Sequence, residues 1–393
     1  MTDLPDEDEF RRDARTWLRQ AAGPFAADGH GDDSVAVFEN WTDDQERAAT
    51  ERIRAWERTK FDAGWGALTW PARYGGRGLP VRYEHLFLAE ERQVDAPRPT
   101  ELFAVSQRLV PPTIQAWGTD AQRDEWIRAL LRTDRMACQL FSEPDAGSDL
   151  AGVTTSAVRD GDDWILSGQK VWTSGARVAD VGEAICRSDP AASKHAGLTA
   201  FLVPMDAPGV TVRPIHQMTG GSSFNEVFLD EVRVPDAMRL GPQGAGWKVA
   251  LTTLAAERAD SGELGAGTVD RVLDLARQRT LDDVDVDLVA DLVVRATLQR
   301  LTARRVAASL QAGMEPGPEG SVGKLFAAET MRRTSDVVAH LLGADLTTDT
   351  GDGSFGWTEQ VLGAPGYRIA GGTDQIQRTI IAERVLGLPR ETR

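Results

Sequence analysis

Residues 138–176 read CQLFSEPDAGSDLAGVTTSAVRDGDDWILSGQKVWTSGA. The stretch opens on a short strand-like run, breaks at a Ser-Glu-Pro turn and passes through a Gly-Ser-rich loop. A Thr/Val/Trp-rich pair of strands follows, and a polar-aromatic strand carries Trp172, Thr173 and Ser174. Two polar-edged strands that return to one place can hold a flat, hydrogen-bonding ring between them. An ordinary β meander with Asp-Gly turns gives the same pattern.

Working outward, the period stays strand-like from about 134 to 240. Short apolar runs (WILSG, LTAFLV, VTVRPI, NEVFLDEVRV) are separated by DGDD, SDPAASKHAG, DAPG and TGGSS, which predicts a small antiparallel sheet. The flanks are helical. Phe10, Ala14, Trp17 and Leu18 mark one apolar face near the start, and a second helix is expected over about 43–61 with Thr42 or Asp43 at its cap. The glycine- and proline-rich stretch 64–80 reads as a loop anchored by Trp65, Trp70 and Tyr74. Beyond the sheet, helices are expected over about 245–279 (broken near Gly262 and Gly265, a point that falls outside the residues described below), 284–311, 324–342 and 372–387, with 343–369 loose and polar. The fold class is therefore α+β, a sheet between two helical parts, with domains expected at 1–133, 134–240 and 241–393.

Composition narrows the function. A formal charge of −16 on 393 residues argues against a nucleic-acid binder, which needs a basic surface. Two cysteines make no disulfide scaffold, and five histidines without HExxH or other tight spacing lead us to expect no metal. No basic segment leads into an apolar one at the start, and no run of eighteen apolar residues occurs, so a cytoplasmic, membrane-free protein is expected.

Three separated motifs, CQLFSEPDAGSD (138–149), GQKVWTSGA (168–176) and GGTDQIQRTIIAERVLGLPR (371–390), occur in an order that resembles the acyl-CoA dehydrogenase family of flavoproteins. The resemblance implies an N-terminal helical domain, a middle antiparallel β domain and a C-terminal four-helix bundle, with FAD as cofactor. It implies an acyl-CoA substrate, an electron-transfer flavoprotein as acceptor, and a homodimer or homotetramer. Carried over by position, it assigns Gln139, Phe141, Ser142, Trp172 and Ser174 to the flavin ring, Gly147 and Ser148 to the thioester arm, and Thr373 and Gln375 to the FAD diphosphate and adenosine end.

The chain also leaves the family pattern. The arginine of the family's Arg-x-x-Phe-Gly motif aligns with Gln278 in ARQRTLDD, and His340 and Ala344 stand where Gln and Gly are usual. These departures raise a heteromer, in which a second chain completes the FAD site, as an alternative; a non-catalytic subunit is its extreme form. In many members the base is a Glu just before Gly-Thr, but that position here is Gly371. Other members carry it before a helical arginine, which in LTTLAAERAD makes Glu257 the base and Arg258 its neighbour, with Leu254 on the same face. The small Ala370 and Gly371 leave room for a bulky, branched or steroid-like acyl group. An acyl carrier protein in place of CoA, and a nitroalkane oxidase or monooxygenase-like chemistry, are the further readings.

Overall fold

The structure, a computed structural model, describes residues 4–25, 35–38, 40–260, 268–311, 317–348 and 355–390. The chain divides into two compact units. The first comprises Met1–Asp33, Trp41–His216 and Ser222–Thr253, and the second Ser34–Asn40, Gln217–Gly221 and Leu254–Arg393.

The first unit begins with α1 (Glu7–Ala21), α2 (Asp43–Asp62), α3 (Val81–Glu91), α4 (Glu101–Ala104), α5 (Val110–Trp117) and α6 (Asp120–Leu131). The Asp6 carboxylate caps α1 by accepting from the N–H groups of Asp8 and Glu9. Phe10, Ala14 and Leu18 then face a core shared with Trp56, Tyr83 and Phe87, as their spacing predicts. Thr42 caps α2 through a reciprocal box with Gln45. A π-helical turn at Val105–Leu109 joins α4 to α5, and Pro111 and Pro112 follow it at the start of α5.

Eight strands follow: β1 (Ala137–Leu140), β2 (Ser156–Asp160), β3 (Asp163–Ser174), β4 (Val181–Arg187), β5 (Leu198–Pro204), β6 (Val210–Ile215), β7 (Phe224–Pro235) and β8 (Arg239–Leu240). Their order is β6-β7-β3-β2-β4-β5-β8, with β1 beside β4. The long pairings are antiparallel as expected; β1 runs parallel to β4, and β2 meets β4 in a single parallel pair. Alternate residues Cys138, Leu140, Trp164, Leu166, Ala184, Cys186, Phe201 and Val203 fill one apolar core, and both cysteines are free and buried.

Between Ala184 and Gly182 the alternation turns Glu183 the other way, toward α5 and toward α7 (Gly246–Asp260). Glu183, Thr253 and Thr113 are all fully buried. The Thr253 hydroxyl donates to Glu183 Oε1 at 2.7 Å and lies 2.9 Å from the Thr113 hydroxyl. Oε2 has no hydrogen-bond partner among the described residues. Burial pushes this carboxyl up to about 8, against the pull of the Thr253 hydrogen bond. Glu183 is thus carried neutral in the core near pH 7.

The second unit takes the rest of α7, then α8 (Thr268–Arg277), α9 (Asp283–Gln311), α10 (Gly320–Leu342), α11 (Phe355–Tyr367) and α12 (Asp374–Ile380), ending in a π-helical turn at Ile381–Val385. Val272, Leu292, Ala296, Val337, Val338 and Trp357 form its core. α11 corrects the expectation of a loose stretch at 343–369. Its Gly356, Gly363, Pro365 and Gly366 hide a helix that burial of Trp357, Gln360 and Ala364 stabilises. Gly363 and Gly366 make room for the segment at 37–38: a Cβ on either would lie 2.8 or 2.7 Å from Val37 or Phe38. Phe38 stacks on Tyr367 at 5.5 Å. The terminal helix expected over 372–387 is shorter, stopping at Ile380 before the π turn. Among the described residues no helix is long and apolar enough to cross a membrane, and no group of three or more His, Cys, Asp or Glu is arranged to hold a metal.

Glu183 predicts a pH dependence. Its folded pKa of about 8 lies above the ordinary 4.5, so the folded state holds a proton the unfolded state has lost, and stability falls as pH rises through that window. Thermal unfolding of E183Q should coincide with that of the parent near pH 4.5, and E183Q should become the more stable of the two, by several degrees, as pH approaches 8.

Candidate functional site

In the first unit the site is built around a buried ion pair. Lys170, on β3, is fully buried; its ammonium donates to Glu143 Oε1 at 2.8 Å, to the Ile185 carbonyl at 2.7 Å and to the Phe141 carbonyl at 3.1 Å. Glu143 also accepts from the backbone N–H groups of Thr154 and Thr155 at 2.7 and 2.9 Å. Burial pushes Glu143 up, but Lys170 and these donors outweigh it and hold the carboxylate at about 2. Glu143 is therefore a structural brace. Asp149, the other acid of the loop, pairs with Lys194.

This brace sets the neighbouring side chains. Ser142 precedes Glu143, and its carbonyl accepts from the Val171 N–H at 2.9 Å. The β3–β7 register slips between Lys170 and Thr173. In that slip Trp172 adopts φ +61°, a left-handed conformation unusual for an aromatic residue, and its indole is 60% exposed with its edge against Phe224. Phe141 is buried, while Gln139, Ser142 and Ser174 are half-buried. Thr173, between Trp172 and Ser174, is buried with its hydroxyl unpartnered among the described residues. An exposed aromatic plate on strained backbone, flanked by side-chain hydroxyls and an amide, fits one face and edge of a flavin ring. Gly147 and Ser148 are exposed, and a Cβ on Gly147 would meet nothing within 4 Å, so the packing of this chain does not require glycine there.

In the second unit, Glu257 and Arg258 end a half-buried stretch of α7 that includes Leu254. Gly371 lies in the turn between α11 and α12 at φ +64°, and a Cβ there would stand 3.0 Å from Glu257 Oε1. The Glu257 carboxylate thus occupies the space next to the missing side chain of residue 371. Ala370 is exposed. Arg258 is buried enough that desolvation lowers its pKa, with the Glu257 charge opposing, and its Nε has no hydrogen-bond partner among the described residues. Lys324 and Asp374, which sequence reasoning did not single out, lie beside the same turn.

Thr373 caps α12 by accepting from the Ile376 N–H at 3.2 Å, and Gln375 is exposed. Gln278 is exposed just past the end of α8. Its basic neighbours are engaged within the chain. Arg277 pairs with Asp274; Arg279 donates to the Leu341 carbonyl and pairs with Asp345; His340 is 2.9 Å from Asp285. The residues therefore fit the ring of FAD better than the family's cross-subunit contact to its diphosphate.

Models of the acyl-CoA dehydrogenase N-terminal, middle and C-terminal domains match residues 5–134, 138–232 and 244–386. The chain is 37% identical over 400 residues to acyl-CoA dehydrogenase IpdE1 of Mycobacterium tuberculosis, covering 99% of this chain and 100% of that one. The IpdE1 of Mycolicibacterium smegmatis is 36% identical over 406 residues, covering 98% of each. Among solved structures, the Tcur3481-Tcur3483 steroid ACAD superposes with a TM-score of 0.80 at 26% identity, covering 99% of this chain and 100% of that one. The ChsE4-ChsE5 complex from Mycobacterium tuberculosis gives a TM-score of 0.77 at 28% identity with full coverage of both chains.

One substitution probes each unit. W172G relieves a left-handed backbone at an exposed site, so thermal unfolding should show no loss of stability and a gain of up to about 1 kcal/mol, while retention of FAD through gel filtration falls. G371A forces a Cβ into left-handed backbone and against Glu257; it should lose about 1–2 kcal/mol in urea unfolding.

Proposed function

We propose that this chain, which belongs to the acyl-CoA dehydrogenase family, desaturates the Cα–Cβ bond of an acyl-CoA thioester to the trans-2-enoyl product with Glu257 as its base. Members of the family are FAD-dependent oxidoreductases acting on a CH–CH group, and the chain is an enzyme of that kind. The choice of base rests on one observation: the Glu257 carboxylate fills the space beside Gly371, where a side-chain acid would otherwise stand.

In this reading Glu257 takes the α-proton as a carboxylate, and the acid so formed is discharged to solvent after product leaves. FAD, when bound, supplies the acceptor for the β-hydrogen leaving as hydride, and an electron-transfer flavoprotein is the proposed reoxidant. Ser142 and Ser174 would hold the ring edge by hydrogen bonds, Gln139 and Phe141 would lie along it, and the Trp172 indole would cover one face and exclude water. Gly147 and Ser148 would line the thioester arm. Leu254 and Arg258 would bound the acyl site, and the small, exposed Ala370 would leave room for a bulky, branched or steroid-like group, whereas the space beside Gly371 is taken by Glu257. The Tcur3481-Tcur3483 neighbour is described as a steroid ACAD, which supports that choice.

A second reading has its own observation. Gln278 replaces the expected arginine, and Arg277, Arg279 and His340 are each engaged by an acid or a carbonyl of this chain. A second chain type that supplies the missing cation would complete the FAD site, and the ChsE4-ChsE5 neighbour, described as a complex, is in keeping with such a reading.

One preparation tests both. The protein purified alone is expected to be yellow, and its flavin to bleach with at least one of butyryl-, octanoyl-, isovaleryl- and a steroid side-chain acyl-CoA. E257Q should keep the flavin spectrum and lose bleaching about 10²–10⁴-fold; undiminished bleaching by E257Q removes the base assignment. A colourless protein that gains FAD only when co-purified with a second chain selects the heteromer.

A further inference from the structure

We propose that Lys324 is a positioning residue for the base: it ties down the glycine turn beside Glu257 and supplies a positive charge that keeps that carboxylate ionised. The proposal rests on the reading of Glu257 as the base.

Lys324 lies on α10 and is 4% exposed. Its ammonium donates to the Gly372 carbonyl at 2.8 Å and stands 4.0 Å from Asp374 Oδ1. Gln377 Nε2 donates to the carbonyls of Gly371 and Gly372 at 2.9 and 3.0 Å. The Gly372 carbonyl is thus held from both α10 and α12, and the Gly371 carbonyl from α12. Residue 371 packs directly on the Glu257 carboxylate, so fixing the turn fixes the floor on which that carboxylate rests.

The charges around Glu257 come from four places. Arg258 follows it on α7, Lys324 of α10 is within coulombic reach of it, Asp374 belongs to α12, and Arg368 precedes the turn; Arg384, beyond α12, acts on Arg258. Burial lowers the pKa of Lys324, while the charges of Asp374 and Glu257 draw it back up. Asp374 is 1% exposed and spends its other oxygen on Arg368 Nε at 2.7 Å, so it only partly neutralises the lysine.

The arrangement answers a chemical difficulty. Excluding water from a carboxylate favours its neutral form, and a neutral acid cannot remove a proton. A buried cation within coulombic reach restores the charged form. Any donor could hold the Gly372 carbonyl, but only a cation can do the second task. That difference separates a charge role from a merely structural one.

The test uses two substitutions with opposite expectations. K324Q keeps a donor and removes the charge; the acid limb of the pH profile for flavin bleaching, measured with whichever acyl-CoA of that panel bleaches the parent, should move up by about one pH unit. D374N frees Lys324 from its competing partner and should move the same limb down. A second measurement needs neither flavin nor substrate: in urea unfolding at pH 7, the midpoint lost in E257Q/K324Q should be smaller than the sum lost in the two single variants. Additive losses, or an acid limb unmoved by both K324Q and D374N, overturn the proposal even where E257Q is inactive. If K324Q does not fold, the direction of the D374N shift decides. Bleaching that survives in E257Q overturns the base assignment instead, and the urea cycle still reports on the Lys324–Glu257 coupling.

Discussion

The ion pair between Lys170 and Glu143 is the constraint from which the rest of the β unit follows. Both groups are buried, and every donor of the ammonium is used. A buried pair of this kind adds little over an apolar substitute, but breaking it leaves an uncompensated charge and costs about 3–5 kcal/mol. Its contribution is therefore to placement. Glu143 follows Ser142, and Lys170 comes two residues before Trp172, so one contact locks the end of the loop after β1 to the irregular part of β3. Trp172 can hold a costly left-handed backbone because the chain on both sides of it has nowhere to relax.

The second unit shows the opposite device, a side chain left out. Gly371 and Glu257 are complementary: the glycine accepts the φ of +64° and leaves the volume that the carboxylate needs. An acid at position 371 and a glutamate at position 257 would compete for one place. The sequence carries only the second, and Lys324, Gln377 and the Arg368–Asp374 pair then fix the turn that carries the gap. An acid on α7 also sits on a regular helix, so its position depends less on the turn than an acid at position 371 would.

Much of this was legible before any coordinates. The spacing of Phe10, Ala14 and Leu18 and the alternation through Trp164, Leu166, Phe201 and Val203 each gave the right element, because they reflect burial with a fixed period, and of the two candidate caps of α2, Thr42 and Asp43, the structure uses Thr42. Glu257 and Gly371 could be read as a pair because one acid was missing where another was present. What escaped was burial against type. Lys170 sits between Gln169 and Val171 and reads as an outward strand residue. Glu183 interrupts the run VGEAIC, and that interruption of an otherwise apolar stretch is the one sequence signal of its burial. α11 was missed because its glycines and Pro365 suppress helix propensity, and only packing stabilises it. Lys324 follows Val322 and Gly323 on α10, and nothing in the local pattern says that its ammonium reaches a carbonyl 48 residues away.

The charge balance at the turn between α8 and α9 bears on what assembles with this chain. Arg277 and Arg279 would be natural substitutes for the missing arginine, but each is engaged, by Asp274 in one case and by Asp345 and the Leu341 carbonyl in the other. Gln278 itself is neutral, and Asp282 and Asp283 beside it are exposed. A diphosphate brought to this surface would meet carboxylates first, with no free cation among the described basic neighbours, and like charges in contact repel. Two copies of this chain paired symmetrically would present that same surface twice. In the heteromer reading, a different chain carrying an unpaired arginine removes the repulsion from one cofactor, and this chain then contributes its flavin-facing strands and Glu257 while the partner contributes the cation.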